Sequence, residues 1–332
     1  MAIITRFAPG SRFAFRQASI SAAVIGLCLT CVFQSAAPAQ TNCVPAPAGL
    51  ISWWRAENST LDSSGSNNGI SFNGVTFTAG RVGSAFSFDG VDDHIRIPDH
   101  PALRPTNALT LEAWVFPTTI GTHDEIISKW DVILGPNQKS YTFSLHPDRR
   151  AYFYVSPTGT DVSADSVFST THLPVNEWTH LAATYDGNRL NIYVNGVLEA
   201  FTPYDRGIFP GTNDLAIGGY VGAAAPGQVD SPFAGLIDEA AIYQRALTTT
   251  EIAAIYAAGS AGKCYDPPVA IPPQITQHPQ SVTTNAGALV RFDVAATGTP
   301  LPTYQWFFNT DVLLGQTNAT LQLSAVQPDQ AG

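Results

Sequence analysis

The stretch WTHLAATYDGNRLNIYVNGVLEAF, residues 178–201, indicates the fold class of this chain. It contains three runs of strand-forming residues, 178–185, 190–194 and 197–201, separated by Asp-Gly-Asn and by Asn-Gly. Asn-Gly between alternating strands is the strongest short signal for a β-hairpin, because a tight turn needs residues that accept positive φ angles. The stretch therefore predicts three consecutive antiparallel strands.

A second pair of strands is predicted around the turn at residues 147–148. Strand alternation places Tyr141 and Phe143 on one face of the first strand, and Tyr152 and Tyr154 on one face of the second. These four aromatics are candidate ligand-binding residues, since a row of rings can stack on a sugar. The alternative is that the row belongs to the core, and exposure decides between the two.

One helix is predicted near the end of the strand-rich region. Thr248 and Glu251 have the spacing of a capping box, Ile252 and Ile255 fall on one face, and Gly259 ends the pattern. Many short strands and a single short C-terminal helix predict an all-β protein, built as a two-sheet antiparallel jelly-roll sandwich.

Composition and charge exclude one class of function. The chain has 332 residues, of which 45% are hydrophobic and only 13% charged, and its formal charge is −10. An acidic protein repels the phosphate backbone, so we expect no nucleic-acid partner. Its 27 glycines and 24 prolines are typical of strands separated by turns.

Residues 1–39 are expected to be a Sec-type signal peptide. Three arginines and no acid precede an apolar run over residues 18–33, and Ala37-Pro38-Ala39 follows as the cleavage site. The alternative is an uncleaved membrane anchor, but the run is shorter than the roughly 20 residues that span a bilayer. We therefore expect no membrane span in the mature chain, and a secreted or cell-surface location.

Two of the four cysteines are expected to form a disulfide. Cys28 and Cys31 lie in the export segment, which leaves Cys43 and Cys264. An even pair in an oxidising compartment favours a bond between the two. A metal site or a catalytic thiol is the weaker alternative, because the remaining pair has no Cys-x-x-Cys spacing and no adjacent base.

Proline-rich segments divide the rest of the chain. The first folded unit is predicted at residues 43–265, a proline-rich linker at 266–273, and a second unit at 274–332.

Eight motifs in the first unit occur in a recognisable order. They are GLISWW (49–54), DSSG with NNG (62–69), GRVGSAFSFDG (80–90), LTLEAWV (109–115), WTHLA (178–182), YVNG (193–196), GLIDE (235–239) and RAL (245–247). Together they resemble the concanavalin A-like, laminin-G/pentraxin-type jelly-roll domain of bacterial exported proteins. The resemblance covers nearly all of residues 49–258 and implies the fold, but no single function, because this fold hosts lectins, glycosidases and spacers.

The second unit resembles a bacterial immunoglobulin-like domain, on the strength of the strand at 289–295, Tyr304-Gln305-Trp306 and the strand at 321–323. The resemblance implies that Trp306 is buried between two sheets. Val294 stands where the family often has its first core cysteine. Because the sequence stops at Gly332, before the last strands of the family's fold, we expect an incomplete immunoglobulin-like β-sandwich, truncated at its C-terminal strands.

A calcium site is expected at the loop after the first strand. Asp62, Asn67 and Asn68 offer oxygen ligands, which Ca²⁺ prefers. Asp238 would add a second carboxylate if its strand pairs with the Trp53-Trp54 strand, as the resemblance implies. The alternative is that Asp62 only caps a turn through nearby backbone groups.

Catalysis is not expected, because a glycosidase needs two carboxylates facing each other across a cleft. Asp238 and Glu239 are adjacent and point to opposite faces of a strand, and His123-Asp124-Glu125 lie consecutively in a polar loop. The sequence contains no Gly-x-Ser-x-Gly, Walker or His-Glu-x-x-His motif.

The leading functional hypothesis is an exported, non-catalytic recognition or adhesion protein. Its laminin-G-like domain would bind carbohydrate or an extracellular surface or matrix protein. The alternative is a structural spacer or accessory module of a larger surface protein or polysaccharide hydrolase.

Overall fold

The computed structural model describes strands β1 (Ala2–Ile4) and β2 (Phe15–Gln17), which pair with each other, and residues 43–121, 124–131, 138–161, 165–220, 231–266, 271–299 and 302–328. The rest of the expected signal peptide, its cleavage site and Gly332 lie outside the described residues. The chain divides into two units, of which the larger is Ala39–Tyr265.

The larger unit is built almost entirely from short strands. In chain order they are β3 (Leu50–Trp54), β4 (Ile70–Phe72), β5 (Thr76–Ala79), β6 (Ser84–Asp89), β7 (His94–Ile97), β8 (Leu109–Pro117), β9 (Asp124–Trp130), β10 (Lys139–Leu145), β11 (Arg150–Val155), β12 (Asp165–His172), β13 (Thr179–Tyr185), β14 (Arg189–Val194), β15 (Val197–Pro203), β16 (Leu215–Ile217) and β17 (Ala234–Tyr243).

These strands form two antiparallel sheets. The seven-stranded sheet has the order β12-β11-β10-β9-β16-β7-β4, and the eight-stranded sheet has the order β15-β14-β13-β8-β17-β6-β5, with β3 also paired to β17. Both sheets combine consecutive hairpin strands, such as β9 to β12, with neighbours from distant parts of the sequence, such as β16 between β9 and β7 and β17 between β8 and β6, as in a jelly roll. The predicted fold class is confirmed, and the pairing of β17 with the Trp53-Trp54 strand occurs as the resemblance implied.

The main core lies between the two sheets. Alternate residues of each strand point into it, so that Phe143 on β10 and Phe153 on β11 face Leu181 on β13 and Ile192 on β14, and all four are fully buried. Burial of one such side chain stabilises the fold by roughly 2 to 3 kcal/mol. The opposite residues of each strand form the outer faces of the sandwich.

The hairpin predicted at Asn195-Gly196 is present. Both residues have positive φ, +49° and +79°, as the mirror-image type I turn requires. This turn joins β14 to β15, and the preceding turn joins β13 to β14.

Helix α1 (Thr249–Ala258) has the predicted capping box between Thr248 and Glu251. Ile252 and Ile255 are buried on the outer face of the eight-stranded sheet, while Tyr256 remains 38% exposed. Among the described residues, no helix is long and apolar enough to cross a membrane.

The predicted disulfide between Cys43 and Cys264 is confirmed. Beside it, Val44 and Lys263 pair as a parallel bridge, so the two ends of the domain lie next to each other. We call residues 43–44 together with 263–265 the closing segment. It lies on the outer face of the eight-stranded sheet, where the Tyr265 ring contacts the Trp53 ring edge-on.

A buried ion network connects the closing segment to this face. The Lys263 ammonium lies 2.6 Å from the Glu112 carboxylate and 3.4 Å from that of Glu239, and all three side chains are buried. His180 Nε2 lies 3.1 Å from the second oxygen of Glu112. The Lys263 ammonium also lies 4.9 Å from the centre of the Trp53 ring.

The described residues after Asp266 contain three two-stranded ladders. They pair β18 (Ile271–Gln277) with β20 (Ala295–Thr299), β19 (Val290–Asp293) with β23 (Thr320–Leu323), and β21 (Phe307–Phe308) with β22 (Asp311–Val312). β18 begins at Ile271, so three residues of the expected linker lie in a strand, while residues 267–270 lie outside the described residues.

A small cluster of Val290, Phe292, Leu321 and Val326 forms the core of the second unit. Trp306 packs against this cluster, but it is only partly buried, and its indole N–H donates to the Asn318 carbonyl. The expectation of a fully buried tryptophan between two sheets was therefore wrong. The described strands of this unit form separate two-stranded ladders and not two packed sheets that would enclose the ring.

Candidate functional site

The four candidate aromatics separate onto two faces of the seven-stranded sheet. Tyr141 and Phe143 are fully buried in the main core, and the Tyr141 hydroxyl donates to the Leu103 carbonyl. Their expected role in binding a ligand was wrong, because the register pairs them with the core residues Val155 and Phe153 of β11.

Tyr152 and Tyr154 point to the opposite, outer face of the same sheet. They alternate with the core residues of β11 and lie across from the polar residues Ser144 and Thr142 of β10. They contribute to a groove with a volume of about 420 Å³. We call it the aromatic groove, and its lining residues are Trp130, Lys139, His146, Tyr152, Tyr154, Asp161, Ser166, Phe168, Tyr220 and Ser231.

The rings in the aromatic groove form two groups. Trp130 and Tyr154 have ring centres 4.9 Å apart and planes inclined by 31°. Tyr152 and Phe168 stack with centres 5.3 Å apart and planes inclined by 20°. His146 meets both rings of the second pair edge-on. Tyr154 and Phe168 remain partly exposed, so apolar ring surface is available to a ligand entering the groove.

The cations around the aromatic groove already have acidic partners. Lys139 forms an ion pair with Asp161, and its ammonium lies 5.7 Å from the centre of the Trp130 ring. Outside the rim, Asp148 lies 2.9 Å from His146 Nδ1 and 2.8 Å from the guanidinium of Arg150. The hydrogen bond from Arg150 holds the pKa of Asp148 well below its ordinary value.

A fully buried carboxyl group, that of Glu125, lies beneath this face. Its Oε2 accepts short hydrogen bonds from the hydroxyls of Thr142 and Ser144. Burial raises the pKa of Glu125 to about 7, and hydrogen bonds from Ser144, Thr142 and Tyr220 only partly offset this effect. The same burial raises the pKa of Tyr220, which lines the groove, well above its ordinary value.

The three ligands expected from the loop after β3 lie together. The carboxylate of Asp62 accepts hydrogen bonds from the backbone N–H groups of Trp53, Ser64 and Asn67. The Asn68 side chain in turn accepts a hydrogen bond from the N–H of Asp62. This is the turn-capping arrangement that stood as the alternative to a calcium site.

Asp238 lies in a different environment. It is fully buried on β17, its Oδ2 accepts a hydrogen bond from the Val82 N–H, and Oδ1 has no hydrogen-bond partner within the described residues. Burial, reinforced by the neighbouring Glu239, raises its pKa to about 8. Asp62 and Asp238 thus bond to different loops. The calcium site stays a prediction.

Another acidic loop brings three carboxylates together. Ligand atoms of Asp89, Asp92 and Asp93 lie within 4.8 Å of one another. Asp89 Oδ1 accepts from the N–H groups of Val91 and Asp92, which is an ordinary turn cap.

Sequence reasoning missed most of the aromatic groove. Trp130, His146, Phe168 and Tyr220 were not among the candidates, and Glu125 was considered only as part of a polar loop. His123, its neighbour in that interpretation, lies outside the described residues. Alternation along β11 grouped Tyr152 with Tyr154, and the register of the sheet gives the core side of this strand to Ala151, Phe153 and Val155.

Comparison with known proteins agrees with this architecture. A family model for the concanavalin A-like lectin/glucanases superfamily matches residues 89–253, and one for the immunoglobulin domain matches residues 272–332. No match is found among curated proteins.

The solved structures that are similar to this chain include two binding domains. Domain 4 of AbnA, an extracellular GH43 arabinanase from Geobacillus stearothermophilus in complex with arabinotriose, is 25% identical, with a TM-score of 0.50 over 61% of this chain and 96% of that domain. The binding domain of Paraclostridial Mosquitocidal Protein 1 is 13% identical, with a TM-score of 0.50 over 85% of this chain and 71% of that one. The chain therefore contains a domain of the concanavalin A-like lectin/glucanases superfamily followed by an immunoglobulin domain.

Proposed function

We propose that this chain is an exported, non-catalytic protein that binds carbohydrate in the aromatic groove. The observation that carries the proposal is the groove itself, in which the ring pairs Trp130–Tyr154 and Tyr152–Phe168 lie on one outer face. Partly exposed rings beside hydroxyl groups match the mixed apolar and polar surface of a sugar. The disulfide and the signal-like N-terminal segment support export.

The similarity to domain 4 of the arabinanase gives independent support. That domain was solved with arabinotriose, and it matches the length of one domain of this chain at 25% identity. A volume of about 420 Å³ lies within the usual range of small-molecule sites. A short stretch of a polysaccharide therefore suits the groove.

Binding without hydrolysis is the role we assign. Of the acids near the aromatic groove, Asp161 is held in an ion pair with Lys139, and Glu125 is fully buried beneath the groove. A glycosidase needs one carboxylic acid and one carboxylate that both reach the sugar. The immunoglobulin domain suits a spacer that holds the binding domain away from its attachment point, which is the adhesion role proposed for the whole chain.

The test is a glycan array with the purified chain, followed by calorimetric titration of the bound glycans. Tyr154→Ala and Phe168→Ala should each raise Kd at least tenfold, about 1.4 kcal/mol, because each removes a stacking surface. Phe201→Ala is the matched control, since Phe201 is 56% exposed on the outer face of the eight-stranded sheet.

The control should bind like the unaltered protein, and none of the bound glycans should be hydrolysed. Absence of binding to every glycan would overturn the proposal. So would groove variants that bind as tightly as the control.

A further inference from the structure

We propose that the aromatic groove selects uncharged glycans, and that Glu125 is the residue that determines this selectivity. The inference rests on the proposed function and adds to it the chemical class of the ligand. Glu125 would act through the charge that it places beneath the groove and not by contact, because its side chain is fully buried.

The first argument is the charge balance of the lining. An acidic sugar needs a cation to replace the water that it loses on binding. Lys139 is already paired with Asp161, and His146 and Arg150 both contact Asp148. Among the described lining residues, a carboxylate or sulfate would therefore have to compete with Asp161 for Lys139, and just outside the lining it would have to compete with Asp148 for Arg150.

The hydroxyl groups of the lining fit a neutral ligand better. Ser166, Ser231, Tyr152, Tyr154 and Tyr220 all line the aromatic groove. Hydroxyls of this kind both donate and accept, which matches the hydroxyls of an uncharged sugar.

The second argument concerns the surroundings of Glu125. Among the described residues, the groups with the largest effects on its carboxyl group are Thr142 and Ser144 on β10, Tyr220 after β16 and the adjacent Asp124 on β9, and Tyr152 on β11 also interacts with it. All of these are neutral or acidic. An ionised Glu125 therefore has no cation in this set to compensate its charge.

The position of Glu125 connects this charge to the groove. Ser144 on β10, whose hydroxyl donates a hydrogen bond to Glu125, lies directly opposite Tyr152, whose ring lines the groove. Tyr220 is a second lining residue that interacts with the carboxyl group of Glu125. An anionic sugar on these rings would meet a like charge across a poorly hydrated layer, where repulsion is strong. A neutral sugar would not.

The titration of Glu125 supports the same argument. Burial raises its pKa to about 7, so it is mostly neutral at pH 5.5 and mostly ionised at pH 8.5. Discrimination against acidic glycans should accordingly be larger at the higher pH. The pH dependence of the Glu125→Gln variant separates this effect from the contributions of other titrating groups.

The experiment uses the full chain and an array of plant and microbial oligosaccharides. Its neutral members are arabinan, xylan, mannan and galactan fragments, and its acidic members are galacturonic, sialylated and sulfated fragments of equal length. At pH 8.5 the bound glycans should be neutral, with at least tenfold weaker binding of acidic fragments. In the Glu125→Gln variant, the ratio of the Kd for acidic fragments to the Kd for neutral fragments should fall to threefold or less. The Kd for neutral fragments should change less than threefold.

Glu199→Gln is the matched control, because Glu199 also accepts hydrogen bonds from two threonines but lies on β15 of the other sheet. Its selectivity should equal that of the unaltered protein. If Glu125→Gln fails to fold, glycan binding to the unaltered protein is measured from pH 5.5 to 8.5. The ratio of the Kd for acidic fragments to the Kd for neutral fragments should grow at least threefold over this range.

Each outcome bears on a different statement. Glycans that bind with no preference between neutral and acidic fragments, a ratio unchanged in Glu125→Gln, or a ratio independent of pH would overturn the inference and leave the proposed function standing. Absence of binding to any glycan would overturn both.

Discussion

The two outer faces of the jelly roll differ in the groups that surround a buried glutamate on each of them. Glu112, on the covered face of the eight-stranded sheet, lies against Lys263 and His180. Burial alone would raise its pKa, but Lys263 and then His180 outweigh burial and hold the pKa below its ordinary value. For Glu125, on the face with the aromatic groove, burial raises the pKa to about 7, and the largest opposing effects among the described residues come from hydrogen bonds with Ser144, Thr142 and Tyr220.

The difference between the two glutamates distinguishes a role in stability, which we assign to Glu112, from a role in ligand selection, which we assign to Glu125. The covered face carries a helix and the closing segment, and Lys263 joins Glu112 and Glu239 to the closing segment, although burial also raises the pKa of Asp238 on this sheet. On the open face, the described groups with the largest effects on Glu125 include no cation, so ionisation of its buried carboxyl group costs stability. Four measurements can break or sharpen this comparison.

The largest effect is expected from the covered face when its disulfide is removed. Cys43→Ser together with Cys264→Ser opens a loop with a sequence separation of 221 residues. The free energy of unfolding should fall by on the order of 5 kcal/mol, because the unfolded chain gains the entropy of that loop. Urea unfolding of the variant and of the reduced protein measures the loss. A change below 1 kcal/mol would show that the closing segment is held without the bond.

Two lysines test the pairing of charges directly, since each lies over a tryptophan ring and beside an acid. Lys263→Met leaves the buried Glu112 and Glu239 without this cation and should cost about 3 to 5 kcal/mol. Lys139→Met is the matched control at the edge of the groove. Its ion pair with Asp161 is partly exposed, so its loss should cost within about 1 kcal/mol. Equal losses in the two variants would contradict the comparison.

A pH effect of intermediate size is expected from Glu125. Its folded pKa of about 7 lies above the ordinary value of 4.5, so between these pH values the folded protein keeps a proton that the unfolded chain has released. The free energy of unfolding should therefore fall by about 3 kcal/mol as the pH rises from 4.5 to 7.

The difference between the unaltered protein and Glu125→Gln isolates this contribution from those of Asp124 and Asp238, whose pKa values burial also raises, to about 6 and about 8. Glu125→Gln should thus gain stability relative to the unaltered protein as the pH rises. A difference that does not change with pH would show that Glu125 does not titrate in this range.

The smallest change in the free energy of unfolding is expected for substitution of Asp62, whose carboxylate accepts hydrogen bonds from backbone N–H groups. Asp62→Ala should cost about 2 kcal/mol, because three N–H groups lose their acceptor. Asp186→Ala, a similar but exposed turn cap, should cost less than about 1 kcal/mol. Both are measured by thermal melts with excess calcium and with chelator. A loss at Asp62 that is larger in calcium would establish the ion site predicted from sequence.

Local rules predicted the elements of this fold well. The Asn195-Gly196 turn, the capping box at Thr248 and the disulfide each depend on a few residues whose chemistry permits one arrangement. Strand alternation also grouped Tyr141 with Phe143, and Tyr152 with Tyr154. It could not show that the two pairs face opposite sides, because that depends on the register between β10 and β11.

The groove was harder to predict than the strands that carry it. Trp130, Phe168 and Tyr220 come from three separate segments, and only the strand order of the sheet brings them to Tyr154. Glu125 gave no signal, because its significance depends on its burial and on the described groups that surround its carboxyl group. Such a property belongs to the packed structure and not to any motif.

The closing disulfide has a mechanical consequence. The Cα atoms of Cys43 and Cys264 are 4.9 Å apart, although 221 positions separate them in sequence. A pulling force applied to the chain on either side of the domain passes through this covalent bond and bypasses every strand between the two cysteines. Without the bond, the same force could draw out a segment of about 750 Å at about 3.4 Å per residue. The oxidised domain therefore transmits tension along the chain while its groove stays folded.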